Sequence, residues 1–278
     1  MPTRSALPDS EGELSLAADE PAPFSIEGHG KGYPALVVCD HASRSIPHAL
    51  ANLGLPDDTL VRHIAWDIGA GALARKLAQR LRLQAVLAGY SRLVVDCNRH
   101  LDDPTSIPVV SDGQAVPGNI NLSAQARKAR VDRLFAPYHR AIDEHLSAWL
   151  EGKRVPALIA IHSFTPVLRG KARPWHCGVL WDRDPRVPLP LLAALRDEAG
   201  LLVGDNEPYS GRDQSDYTVD VHAEQRGWPH VCIEVRQDLL EDEAGIERWA
   251  DLLARSLAPI LKQASLYRRA ELADAVHR

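Results

Sequence analysis

The chain has 278 residues, of which 45% are hydrophobic and 25% are charged, and its formal net charge at pH 7 is −5. Such a chain can bury a core without disulfides, and the negative balance argues against nucleic acid or an anionic membrane as partner. No segment reaches the roughly 18 consecutive apolar residues of a membrane helix. Residues 1–22 lack the apolar stretch of a signal peptide and predict a loose tail before a single domain over residues 23–278.

The chain alternates between short apolar runs and helical patterns. Six runs predict buried strands, at residues 35–39, 83–87, 93–96, 157–161, 178–181 and 231–235. Four patterns predict helices, at residues 57–81, 123–150, 188–199 and 244–261. Strands that are apolar on both faces are typical of a sheet covered by helices on both sides. We therefore predict an α/β fold, a three-layer α/β/α sandwich with a mixed, mostly parallel sheet.

Three predicted strands end in polar groups that a strand does not require. Asp40 and His41 follow the first strand, His162 and Ser163 follow the fourth, and Glu234 lies in the sixth. Ligands of open α/β sheets bind at the carboxyl ends of strands, and histidines with a carboxylate on one rim match a catalytic zinc site. The pattern predicts that His41 and His162 bind one divalent metal ion, with zinc as the expected metal.

A third metal ligand has to come from elsewhere in the chain. Asp67 lies in an apolar stretch, where an unpartnered carboxylate is costly to bury. It is either a ligand or part of a salt bridge to Arg62 or Arg75. His63 is the alternative ligand, or an outer partner of one. We prefer Asp67 as the third ligand.

Glu234 occupies a strand position where an apolar residue is expected, two residues before Arg236. A structural Glu–Arg pair is one interpretation. The other, which we favour, is that Glu234 is the general base beside a metal site. Asn98 and Arg99 follow another apolar run, and an arginine beside a directional amide is suited to bind a carboxylate.

These motifs, taken together and in order, resemble the N-formylglutamate amidohydrolase family over residues 33–261. The segments that carry the resemblance are VVCDHASRSIP at His41, WDIGA at Asp67, SRLVVDCNR ending at Arg99, IHSFTP at His162, DNEPYSG at Asn206, and the stretch from His222 through IEVRQD at Glu234. The family is distantly similar to zinc carboxypeptidases and aspartoacylases. Those enzymes take a second ligand from a His-x-x-Glu pair, whereas Arg44 stands three residues after His41 here, so Asp67 takes that place in our hypothesis.

The resemblance implies hydrolysis of N-formyl-L-glutamate to formate and L-glutamate, a late step of histidine breakdown. By the same resemblance, Asn98 and Arg99 bind one carboxylate of a small N-acyl acidic amino acid. A second cationic contact would come from Arg44, Arg92 or Arg236.

Three alternatives stay open at the level of sequence. The same core could cleave another N-acyl amino acid or a short peptide, with the loop at residues 204–228 selecting the substrate. A serine or cysteine nucleophile is a rival mechanism, but no G-x-S-x-G motif is present and Cys39 and Cys232 lie within predicted strands. A non-catalytic binding protein for acidic amino acids is the third.

The four cysteines form no C-x-x-C pair and suit a reducing compartment, so we expect a cytoplasmic protein. The oligomeric state is not predicted.

Overall fold

The computed structural model describes residues 13–152, 154–213 and 216–270. Its strands, in chain order, are β1 (Phe24–Gly28), β2 (Ala35–Cys39), β3 (Gln84–Ala88), β4 (Val110–Ser111), β5 (Gln114–Ala115), β6 (Ala157–Phe164), β7 (Val167–Leu168), β8 (Lys171–Ala172), β9 (Cys177–Leu180), β10 (Val203–Asp205) and β11 (His230–Arg236). Its helices are α1 (Asp57–Leu60), α2 (Ala70–Leu81), α3 (Ala124–Arg130), α4 (Ala136–Leu150), α5 (Pro188–Arg196), α6 (Thr218–His222) and α7 (Glu243–Leu261).

Seven strands form one mixed sheet in the order β1-β3-β2-β6-β11-β9-β10. The four central strands β3, β2, β6 and β11 run parallel to one another. Strands β1 and β9 pair antiparallel with their inner neighbours, and β10 runs parallel to β9. Because the four central strands share one direction, their carboxyl ends meet on one edge of the sheet. The remaining short strands form two hairpins, β4–β5 and β7–β8.

Helices cover both faces of this sheet. On one face, Leu77 of α2 and Leu253 of α7 belong to the same buried cluster as Ile159 of β6. On the other face, Ile142 of α4 shares a cluster with Ala160, the next residue of β6. Full burial of such aliphatic side chains contributes about 1.5–3 kcal/mol each. The predicted three-layer α/β/α sandwich with a mixed, mostly parallel sheet is confirmed.

A third apolar cluster lies beyond the strand ends and explains one wrong prediction. Residues 93–96 form a turn rather than a strand. Leu93, Val94 and Val95 are buried because they pack under the loops, beside Phe135. The Ser91 side chain holds this turn in place, since its hydroxyl donates to the Ala65 carbonyl and accepts from the backbone N–H of Leu93.

Two predicted helices are interrupted in the structure. The segment 57–81 forms α1 and α2 with a turn between them, and Gly69 begins α2 with a φ of 78° that only glycine adopts readily. In the segment 123–150, Ser123 caps α3 as expected, but a π-helical stretch at Val131–Phe135 separates α3 from α4. The sequence patterns also missed β1, β10 and α6.

The N-terminal segment makes defined contacts where it is described. Residues 1–12 of the predicted tail lie outside the described residues. In residues 13–22, Leu14 is buried in the apolar cluster beyond the strand ends, and the Tyr90 hydroxyl donates to the Pro21 carbonyl at 2.7 Å. Among the described helices, none has the length and apolar character needed to cross a membrane.

The turn before α2 gives a test of the fold. A Cβ at Gly69 would lie 2.4 Å from the Leu240 Cβ and 2.8 Å from its carbonyl oxygen, in addition to the positive φ. We expect Gly69→Ala to lower the free energy of unfolding by more than the ~1–2 kcal/mol cost of a left-handed residue alone. Gly113→Ala is the matched control, because Gly113 has a φ of 76° with nothing within 4 Å of its added Cβ. Equal losses for the two variants in urea unfolding would contradict the packing argument.

Candidate active site

Three buried side chains converge at the carboxyl edge of the sheet. His41 is the second residue after β2, Asp67 lies in the turn before α2, and His162 lies on β6. One oxygen of Asp67, Oδ2, lies 3.3 Å from His41 Nδ1 and 2.9 Å from His162 Nδ1. One ligand atom from each residue lies within 4.8 Å of the other two, which suits the capture of a metal ion. The structure thus brings together the three predicted ligands as a group that could hold a metal.

Each histidine has a second carboxylate on its other ring nitrogen. His41 Nε2 lies 2.8 Å from Asp96 Oδ1, and His162 Nε2 lies 3.1 Å from Asp40 Oδ2. Both ring nitrogens of each histidine therefore face a carboxylate, and a neutral imidazole has a proton on only one of them, so one lone pair of each ring faces a carboxylate. A lone pair against a carboxylate is repulsive unless positive charge lies between them. The donor set therefore fits a divalent cation held by two Nδ1 atoms and one carboxylate.

The pKa values of the cluster agree with this need for positive charge. Burial lowers the pKa of His41, but Asp96 and Asp67 reverse the effect and the net shift is upward. Burial also lowers the pKa of His162, and its contacts with Asp40 and Asp67 raise it well above its usual value. Burial raises the pKa of Asp67, and the two imidazoles bring it well below its usual range. A divalent cation can replace the added protons of the histidines.

The Asp40 side chain is held in place by two hydroxyl groups. Its Oδ1 accepts hydrogen bonds from the Tyr138 hydroxyl at 2.9 Å and the Thr218 hydroxyl at 2.6 Å. Burial raises the pKa of Asp40, but His162, His41 and the Thr218 hydroxyl outweigh this effect and lower the pKa to about 2. Asp40 is therefore an anion that orients His162. No role was predicted for Asp40 or Asp96 from the sequence. Asp40 directly precedes His41 and Asp96 lies two residues before Asn98, and this proximity was the available signal.

Glu234 lies on β11 directly opposite His162 in the parallel register. It is 7% exposed, and its Oε2 has no hydrogen-bond partner among the described residues. Burial is the largest cause that raises its pKa to about 8; Asp67 and Asp216 add to the increase, while His162 and His41 oppose it. An unpartnered buried carboxyl beside a candidate metal cluster is costly to maintain, so it is a candidate for proton transfer.

A cavity of about 140 Å³ joins these groups. The three candidate metal ligands and Glu234 all line it. Ser163 of β6 also lines it, and the remaining lining residues come from the segment 92–99 and from the loop after β10: Arg92, Asn98, Arg99, Tyr209, Ser210, Asp213 and Asp216. The segment 204–228 thus contributes a wall of the cavity, and the sequence analysis did not single out Tyr209 within it.

The predicted substrate-binding residues in the cavity are already oriented by protein groups. Asn98 Oδ1 accepts from the Thr218 backbone N–H at 3.0 Å, which leaves its side-chain NH₂ group as a donor. Arg99 Nη1 donates to Asp216 at 2.7 Å. Arg92 pairs with Asp96 at 2.7 Å and lies 3.7 Å from Asp67.

Three other candidates lie away from the cavity lining. The Arg44 guanidinium lies 5.7 Å from the ring centre of Trp66. Arg236 does not share a pocket with Glu234, because its side chain turns to Asp238 at 2.8 Å. His63, the alternative ligand, lies 3.5 Å from Asp112. The structure therefore separates these residues from the group formed by His41, Asp67 and His162.

The four cysteines are free and buried. Burial is the main cause that raises the pKa of Cys39 and of Cys232 well above the usual thiol value. Because the thiolate is the nucleophile, a buried thiol with a raised pKa is a poor one. The cysteine-nucleophile alternative has no support in this arrangement.

The fold and the cluster define an α/β protein with a candidate metal-binding hydrolytic site at the carboxyl edge of its sheet. The model of the family described as N-formylglutamate amidohydrolase matches residues 33–241. The chain belongs to the N-formylglutamate amidohydrolase family, and it is an amidohydrolase.

Solved structures give three further comparisons. A gene product from Agrobacterium tumefaciens is 36% identical with a TM-score of 0.83, and the match covers 88% of this chain and 98% of that one. An N-formylglutamate amidohydrolase from Ralstonia eutropha is 20% identical with a TM-score of 0.61, over 86% of this chain and 97% of that one. An aspartoacylase family protein from Mesorhizobium loti is 15% identical with a TM-score of 0.34, over 83% and 60%. The comparison with curated proteins gives no significant match.

The contact between Asp40 and His162 gives a test of metal binding. Asp40→Asn keeps an oxygen that can accept from Tyr138 and Thr218, but it presents an N–H group to His162 Nε2. We expect zinc affinity to fall about 10–100-fold, as for other outer-shell partners of metal ligands. Chelator competition measures it. Asp132→Asn is the control, because Asp132 is exposed and pairs with Lys128; equal affinities of the two variants would contradict the orienting role.

Proposed function

We propose that this chain catalyses metal-dependent hydrolysis of the amide bond of an N-acyl amino acid, with N-formyl-L-glutamate as the substrate. The products are formate and L-glutamate, which places the reaction late in histidine breakdown. The observation that carries the proposal is the juxtaposition of the His41–Asp67–His162 group with an unpartnered buried Glu234. The membership in the family supports the choice of substrate.

Zinc is the metal we propose for the cluster. Imidazole nitrogens and one carboxylate oxygen are a usual donor set for catalytic zinc, which keeps an open coordination position. The bound cation would polarise the acyl carbonyl and acidify a water molecule. Asp96 and Asp40 lie against the Nε2 atoms, where they would hold the imidazole protons and leave the Nδ1 atoms to bind the cation.

Glu234 performs the proton transfers in this proposal. Its free Oε2 takes a proton from the attacking water, and it then delivers that proton to the nitrogen of the departing amino acid. The carboxyl has to be ionised before the attack. Burial and the neighbouring carboxylates raise its pKa to about 8, and a divalent cation bound nearby would lower it. The protonated form then serves the second half of the reaction.

Asn98 and Arg99 bind the α-carboxylate of the substrate in this proposal. The Asn98 side-chain NH₂ group is directed by the Thr218 N–H, and Arg99 is held by Asp216, so both donors are positioned before the substrate arrives. Donors that are already fixed lose little conformational entropy on binding. Arg92, which is paired with Asp96 and Asp67, acts chiefly to balance the charge of the cluster.

Replacement of Glu234 tests the role of the base. Glu234→Gln keeps the shape of the side chain but removes its ability to accept a proton, so we expect kcat for formate release to fall about 10²–10⁴-fold with zinc content unchanged. Glu241→Gln, the same change at an exposed position, is the control. Near-normal turnover of Glu234→Gln would exclude Glu234 as the base.

Removal of the metal tests the proposal as a whole. We expect a chelator to abolish formate release from N-formyl-L-glutamate, zinc to restore it, and His162→Ala to be inactive in either condition, because a ligand is lost. Activity that survives chelation would overturn the metal mechanism. No turnover of any N-formyl or N-acetyl amino acid in the presence of zinc would favour the binding-protein alternative.

A further inference from the structure

A dicarboxylate substrate requires a second cation, and the cavity does not offer one that is unengaged. Arg92 and Arg99 line the cavity, but each already lies against a carboxylate. Four carboxyl groups also line it: Asp67, Asp213, Asp216 and Glu234. A second substrate carboxylate therefore needs a cation at the rim of the cavity, beyond its lining residues.

Arg173 lies at this rim. It follows the β7–β8 hairpin, and its backbone N–H donates to the Pro166 carbonyl at 2.8 Å, which returns the chain to the end of β6. Its guanidinium carbon lies 5.8 Å from the ring centre of Phe164. Phe164 is two residues after His162 on β6, so the two side chains leave the sheet on the same face.

Tyr209 connects Arg173 to the cavity. The guanidinium stacks over the Tyr209 ring at 4.7 Å from its centre, and Nη1 donates to the Tyr209 hydroxyl at 2.9 Å. Tyr209 lines the cavity and is 41% exposed, so this is where the cavity meets solvent. The phenol fixes the plane of the guanidinium and leaves most of its N–H donors available.

Arg173 forms no ion pair with any residue that the structure describes. Among the described residues, no carboxylate oxygen lies within 4.0 Å of its guanidinium nitrogens, and its side-chain hydrogen bond goes to a neutral hydroxyl. Two other arginines lack this combination of free charge and location. Arg236 pairs with Asp238, and Arg44 stacks on Trp66, which does not line the cavity. A stacked, uncompensated guanidinium is suited to bidentate binding of a carboxylate.

We propose that Arg173, positioned by Tyr209, binds the side-chain carboxylate of the N-acyl acidic amino acid and selects acidic substrates over neutral ones. This inference rests on the proposed function, in which Asn98 and Arg99 take the α-carboxylate. The acyl group then lies in the small cavity beside His162, and the substrate side chain extends toward the mouth. The loop after β10 contributes to specificity through Tyr209.

The test compares a charged substrate with its neutral isostere. For Arg173→Gln we expect kcat/KM with N-formyl-L-glutamate to fall at least ~30-fold, because the guanidinium–carboxylate contact is lost, and kcat/KM with N-formyl-L-glutamine to change less than ~3-fold. Arg169→Gln is the matched control. It removes the same charge from the turn of the β7–β8 hairpin, where Arg169 is 81% exposed. We expect this variant to treat both substrates as the wild type does.

Two kinetic outcomes would overturn the proposal. Equal losses for both substrates in Arg173→Gln would mean that Arg173 acts only through Tyr209 or the local structure. No loss for either substrate would mean that Arg173 does not contact the substrate at all.

A binding experiment separates this inference from the proposed function. Calorimetric titration of the zinc-loaded protein with L-glutamate and L-glutamine needs no turnover. We expect the wild type to bind glutamate at least ~10-fold more tightly than glutamine, and Arg173→Gln to lose this preference. If neither N-formyl compound is hydrolysed, the proposed function fails, and the titration still decides the role of Arg173. A wild type that binds the two amino acids equally well, or an Arg173→Gln variant that still prefers glutamate, would overturn the inference.

Discussion

The site depends on one shared carboxylate oxygen. Asp67 Oδ2 lies within 3.3 Å of the Nδ1 atoms of His41 and His162, and it also accepts from the Ser163 backbone N–H. In a buried environment such charges are strongly coupled, and each imidazole also lies against an outer carboxylate, so the cluster needs added positive charge. A divalent cation satisfies this requirement. The outer carboxylates and Arg92 then follow as groups that set the tautomers and balance the charge.

The sheet makes this convergence possible. The parallel strands β2 and β6 are neighbours, and β11 lies on the other side of β6, so their carboxyl ends deliver His41, His162 and Glu234 to one edge. Asp67 arrives from the turn before α2, whose direction is set by the positive φ of Gly69. Loops then complete the site. Thr218, at the start of α6, contacts both Asp40 and Asn98, and so links the candidate metal cluster to the proposed substrate-binding residues.

The sequence predicted the parts that depend on local pattern. Polar residues at the ends of apolar runs are unusual, which made His41, His162 and Glu234 visible without a structure. The segment 93–96 was assigned wrongly because its apolar residues pack under loops rather than in the sheet, and burial alone does not distinguish the two. Contacts between distant segments could not be predicted from the sequence. Which of many arginines lies near the cavity depends on how the hairpin before Arg173 returns to β6, whereas the family resemblance led us to expect Arg44, Arg92 or Arg236.

A crystal structure of the protein grown with zinc, with anomalous difference maps measured at the zinc absorption edge, tests the central claim most directly. The account predicts one zinc ion bound by Nδ1 of His41, Nδ1 of His162 and a carboxylate oxygen of Asp67, with the Nε2 atoms still on Asp96 and Asp40. An ion coordinated through Nε2, an ion bound elsewhere, or no anomalous peak at this edge of the sheet would contradict it.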